Sequence, residues 1–111
     1  MESINENSTR DLSMSFTDNK GLPVIPETVI YFVIDENTEQ VMIPETTIVP
    51  EDTNEIINLP ADVNIILDSN NDFETRILVV KWFYNNGQNE ENDNYKFKIK
   101  NLIGVDKDEF S

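Results

Sequence analysis

The chain contains no cysteine and no histidine, and has only three glycines and eight cationic residues among its 111. Without cysteine it can build neither a disulfide nor a thiolate metal site. Without histidine it lacks the usual general base, the partner of Ser-His and Cys-His nucleophile systems, and the commonest transition-metal ligand. The glycines stand apart at Gly21, Gly87 and Gly104, so no glycine-rich loop can cradle a phosphate. No run of 18 apolar residues occurs, and no basic stretch followed by an apolar one opens the chain. Together these absences predict a product of the cytoplasm that does not contact membranes and is not an enzyme, with no catalytic residues, no cofactor-binding residues and no metal.

Cationic residues are scarce against 22 Asp and Glu, which leaves a net charge of −14. A field of that sign repels nucleic acid and anionic membranes and keeps a protein soluble. It suits docking on a basic protein surface, and equally a well-solvated exterior. A chain of this length forms one domain with one two-layer core. Its apolar fraction is a modest 38%, gathered into short alternating runs that argue for a folded core. Residues 1–10 and 106–111 are polar and aperiodic, which predicts a flexible N-terminal arm, a flexible C-terminal tail and a folded domain over 11–105. Asn7-Ser8-Thr9 fits a glycosylation sequon by chance, since no secretory signal accompanies it.

The clearest structural signal is in the last third. Tyr95, Phe97 and Ile99 alternate with Lys96, Lys98 and Lys100, the period of two that puts apolar and charged residues on opposite faces of a strand. Glu74–Tyr84 and Asn94–Leu102 read as an antiparallel pair, with the polar loop 85–93 between them. Leu12, Met14 and Phe16 alternate with Ser13, Ser15 and Thr17, a half-buried strand closed by the turn Asp18-Asn19-Lys20-Gly21. Pro23 and Pro26 keep 22–27 extended but outside the centre of a sheet. Thr28–Asp35 is apolar on both faces and predicts a central strand. Val41–Ile43 and Thr46–Val49 read as two short strands broken at Pro44, and Ile56, Ile57 and Leu59 as another. The stretch 61–67 suits either a helical turn or a short crossover. About seven strands and no helix of ordinary length predict an all-β protein, an immunoglobulin-like β-sandwich without the Cys…Trp…Cys pattern. The expected core is Leu12, Met14, Phe16, Tyr31, Val33, Ile77, Val79, Tyr95, Phe97 and Ile99.

Three clusters invite a chemical reading. Asp68-Ser69-Asn70-Asn71-Asp72 alternates oxygen donors as calcium loops do, but Phe73 stands where the EF-hand pattern needs glycine and Val79 where it needs glutamate, so an Asx turn is expected. Asn89–Asp93 reads as a solvated hairpin tip. The Lys96, Lys98, Lys100 row fits an acidic partner or a polyanion, although lysines of this kind more often protect a sheet edge. Partner binding is expected at the polar termini and an exposed sheet edge.

Several segments resemble a class of small bacteriophage structural proteins with an immunoglobulin-like fold. They begin with Asp18-Asn19-Lys20-Gly21-Leu22-Pro23-Val24-Ile25-Pro26-Glu27-Thr28, an acid-x-x-Gly-x-Pro-Val-x-Pro pattern before a strand that ends in Asp35. Ile57-Asn58-Leu59-Pro60-Ala61, Ile66-Leu67-Asp68 and the close from Tyr95 through Asn101-Leu102-Ile103-Gly104-Val105 are similar too. The resemblance spans about residues 11–105 and rests mostly on turn and strand signals. It implies a virion accessory protein, a head auxiliary or decoration component bound in multiple copies to major capsid or tail proteins, with no catalytic residues to transfer. A tail or head–tail connector subunit is the alternative within the particle. A soluble acidic host-interaction or inhibitory protein is the alternative outside it.

Overall fold

The computed structural model describes residues 2–102. The chain is all-β, with β1 (Glu2–Asn5), β2 (Arg10–Ser15), β3 (Thr28–Asp35), β4 (Val41–Ile48), β5 (Asn54–Leu59), β6 (Phe73–Tyr84) and β7 (Asn89–Lys100). Five strands form one sheet in the order β1-β7-β6-β3-β4, and β2 pairs with β5 in a second. The doubly apolar Thr28–Asp35 stretch is an interior strand, paired antiparallel to both β4 and β6.

The longest ladder joins β6 to β7, from Phe73 opposite Lys100 to Tyr84 opposite Asn89. Its turn is set by sequence: Asn85, Asn86 and Gly87 all take positive φ, a region open to glycine and tolerated by asparagine. The tight turn lets pairing resume at Asn89, so residues 89–93 are strand where a loop was expected. Their polarity reflects an exposed strand end rather than an irregular backbone. Val41–Ile48 is likewise one strand instead of two. Pro44 is tolerated because β4 is an edge strand, and the register against β3 shifts between Tyr31 and Ile34. The stretch 61–67 forms neither helix nor strand; its backbone turns through the N–H groups of Val63 and Asn64, bonded to Pro60 and Ala61 carbonyls.

The two sheets share one core. Leu12 and Met14 of β2 and Ile57 and Leu59 of β5 meet Val29, Val33, Leu78, Val80, Phe97 and Ile99 of the larger sheet. Phe16, just beyond β2, reaches across to Trp82, with ring centroids 5.5 Å apart. Eight of the ten expected core residues lie in or against this cluster. Ile77 and Val79 do not: they face outward, and the inward face of β6 carries Leu78, Val80, Trp82 and Tyr84. Both faces of β6 are apolar, so alternation alone could not orient it, whereas the register against Phe97 and Ile99 does.

The expected flexible arm over residues 1–10 is corrected by β1 and by Arg10, which opens β2. β1 runs parallel to β7, and Ile4 is only 3% exposed. A single inward side chain was too little to register as periodicity. The strand is held instead by polar contacts: Tyr95 donates its hydroxyl to Glu2, Arg10 pairs with Glu2, and the Glu6 N–H bonds the Lys100 carbonyl at 2.9 Å. The tail expected at 106–111 lies outside the described residues.

Candidate functional site

A buried ionic cluster sits at one end of the larger sheet. Register places Asp35 of β3 opposite Arg76 of β6, and the period of two puts Glu74 on the same inward face. Arg76 is 1% exposed, Asp35 2% and Glu74 6%. Arg76 Nη2 donates to Glu74 Oε1 and to the Ile65 carbonyl, both at 2.7 Å. Its Nε lies 3.1 Å from Asp35 Oδ1, an ion pair without the direction of a hydrogen bond, and Nη1 has no hydrogen-bond partner. Burial pushes the Arg76 guanidinium below its usual pKa, and the charges of Asp35 and Glu74 pull it back up.

Each carboxylate is also bound by loop groups. Glu74 accepts the Leu67 N–H at 2.8 Å, the Asp68 N–H at 3.0 Å and the Asn71 side-chain amide at 2.9 Å. Asp35 Oδ2 accepts the backbone N–H and the hydroxyl of Thr38 at 2.9 and 3.0 Å, closing the turn between β3 and β4. The buried Asn101 amide donates to the Ser69 and Asn71 carbonyls and ties the same loop to the end of β7. A cavity of about 510 Å³ opens beside this cluster, lined by Asp35, Thr38, Asn71, Phe73 and Glu74 among others. Its two buried carboxylates already accept protein donors, so the arrangement clamps loops to strands rather than presenting a free acid or base. Sequence reading missed this cluster. The signal for it was Glu74 and Arg76 in phase with Leu78, Val80 and Trp82, visible once that face is taken as inward.

The Asp68–Asp72 loop is the expected Asx turn, with Asp68 Oδ1 accepting the Asn70 N–H at 3.0 Å. Among the described residues no group of three or more acidic side chains is arranged to hold a metal ion, and no helix is long and apolar enough to cross a membrane.

The larger sheet turns its second face to solvent. Register aligns Ile30 with Lys81, Phe32 with Val79 and Ile34 with Ile77, and continues across β7 to Asn92, Asn94 and Lys96. Lys98 and Lys100 complete the lysine row opposite Thr75 and Phe73. Lys96 pairs with Glu36 at 2.8 Å, and the Lys98 ammonium stands 4.3 Å from the centroid of Phe73. β1 pairs with β7 over Phe97–Lys100, so edge protection does not account for Lys98 and Lys100, whereas Lys96 lies where β7 extends past β1. The outer strands are blunted otherwise, β4 by Pro44 and its shifted register, β1 by being four residues long, and the stretch of β7 past β1 carries polar residues 89–94 and Lys96. Against known proteins, the chain matches no family model, no curated sequence and no solved structure.

Proposed function

We propose that the chain is a non-enzymatic structural protein of a bacteriophage particle, an immunoglobulin-like sandwich bound as a head auxiliary or decoration component to other virion proteins. The observation that carries this reading is an open sheet face on a domain whose buried carboxylates are bound to its own loops and strands. Such a domain offers a surface for partners rather than a cleft for chemistry. The sequence resemblance supports the same reading, and the two-sheet all-β fold is compatible with its immunoglobulin-like part. The test is mass spectrometry of purified particles from the infected host. The reading expects the chain at fixed stoichiometry, in high copy number for a head position and low for a tail or connector position. Its absence from washed particles, with the chain present in the soluble lysate, would overturn the reading and favour an acidic host-interaction protein.

A further inference from the structure

We propose that the outer face of the five-stranded sheet is the docking surface, and that its partner is an apolar protein surface edged by carboxylates. The inference rests on the virion reading and assigns that partner to a neighbouring virion protein. Three observations carry it. The face has an apolar centre, Ile30, Phe32, Ile34, Ile77, Val79 and Phe83, that no layer of the described residues covers; the two-stranded sheet lies against the opposite side. Contiguous, partly exposed apolar surface of this kind marks interaction sites.

The second observation is charge. Lys81, Lys96, Lys98 and Lys100 share this face, half of the eight cations in a chain of net −14. Glu36, paired with Lys96, and Glu90, opposite Phe83, offset two of these charges, and the face remains net positive, opposite in sign to the whole, which selects a partner with carboxylates around its apolar patch. The third is topology: Lys98 and Lys100 lie opposite Ser3 and Asn5 of β1, so these two lysines cannot be guarding an edge. A second copy of the chain is disfavoured as occupant because both subunits carry −14, and nucleic acid because a phosphate backbone offers the apolar centre nothing to pack against.

The test is a lysine footprint. Full-length chain is added to particles purified without it, acetylated with a lysine-reactive reagent, and compared with free chain by mass spectrometry. Lys20, in the loop between β2 and β3, is the internal control. On binding, Lys81, Lys96, Lys98 and Lys100 are expected to lose reactivity about tenfold while Lys20 does not, and the triple variant K96E/K98E/K100E to bind at least ~10-fold more weakly with its fold intact by circular dichroism. If the wild-type chain does not bind particles at all, the virion reading falls and takes this inference with it. If it binds and the four lysines stay as reactive as in free chain, or the triple variant binds equally well, the docking surface alone is wrong. Protection of the same lysines in free chain by a single-stranded DNA oligonucleotide, or by raising the protein concentration, would replace the proposed partner with nucleic acid or a second copy and overturn it.

Discussion

Arg76 holds the polar end of the sandwich together, and its removal exposes what that arrangement costs. Arg76→Ala leaves Glu74 and Asp35 buried without their cation, and such a change is expected to destabilise the fold by about 3–5 kcal/mol. Urea denaturation of the two proteins measures it; a loss within ~0.5 kcal/mol, the range of ordinary surface substitutions, would show that the cluster rearranges or hydrates freely. Glu2 is the pH-sensitive counterpart on the edge strand β1, level with Arg76 across the ladder. Its hydrogen bond from Tyr95 holds the carboxyl below its ordinary 4.5, partial burial opposes that shift, and Arg10 adds to it. A carboxylate with a lowered folded pKa contributes stability that is present above pH 4.5 and is lost as pH falls through the folded value. The protection factor of the Glu6 amide, which bonds the Lys100 carbonyl, should therefore fall in acid once intrinsic exchange is divided out, and Glu2→Gln should flatten that dependence. An unchanged acid limb in the variant would assign it to another group.

At the scale of the strand, the two faces of β6 make opposite predictions. Leu78→Ala empties a fully buried site and is expected to cost about 2–5 kcal/mol, whereas Ile77→Ala on the outer face should cost less than half as much. Phe97→Ala, wholly buried on β7, should cost about 3–5 kcal/mol. Equal losses at positions 77 and 78 would mean that the outer face is covered. The contrast between these strands also shows what a sequence can convey. β7 alternates lysine with apolar residues, so its inward face was readable from the alternation alone. β6 is apolar on both faces, and only pairing decides which side is buried. β1 was hidden for a different reason, since its stability comes from main-chain pairing and from Glu2, contacts made with residues distant in the chain. The Arg76 cluster was hidden because charged residues in a strand ordinarily signal solvent, and only Asp35 across the ladder makes them compatible with burial. The turn at Gly87 lies between these cases: its chemistry was visible, but the length of ladder that it permits was not. Gly87→Ala, at a φ of 76°, meets open space but an unfavourable backbone, for an expected loss of about 1–2 kcal/mol by thermal unfolding.

For the whole molecule, the largest imbalance is in charge. A net −14 on 111 residues repels itself in the folded state, and salt relieves that repulsion. Raising sodium chloride from about 0.05 to 0.5 M shortens the screening length to roughly a third and should raise the thermal midpoint of the free chain. A falling midpoint would mean that the ion pairs at Lys96–Glu36 and Arg10–Glu2 outweigh the net field. The parallel contact between β1 and β7 has a consequence in time rather than in energy. Glu2 and Tyr95 are 93 positions apart, so the first strand of the larger sheet pairs with the last strand of the described residues. During translation β1 must wait, unpaired, until β7 has left the ribosome. Contacts of such long sequence separation slow the folding search to the range of milliseconds to seconds typical of all-β domains, with the hairpin of β6 and β7 available to form before the first strand arrives.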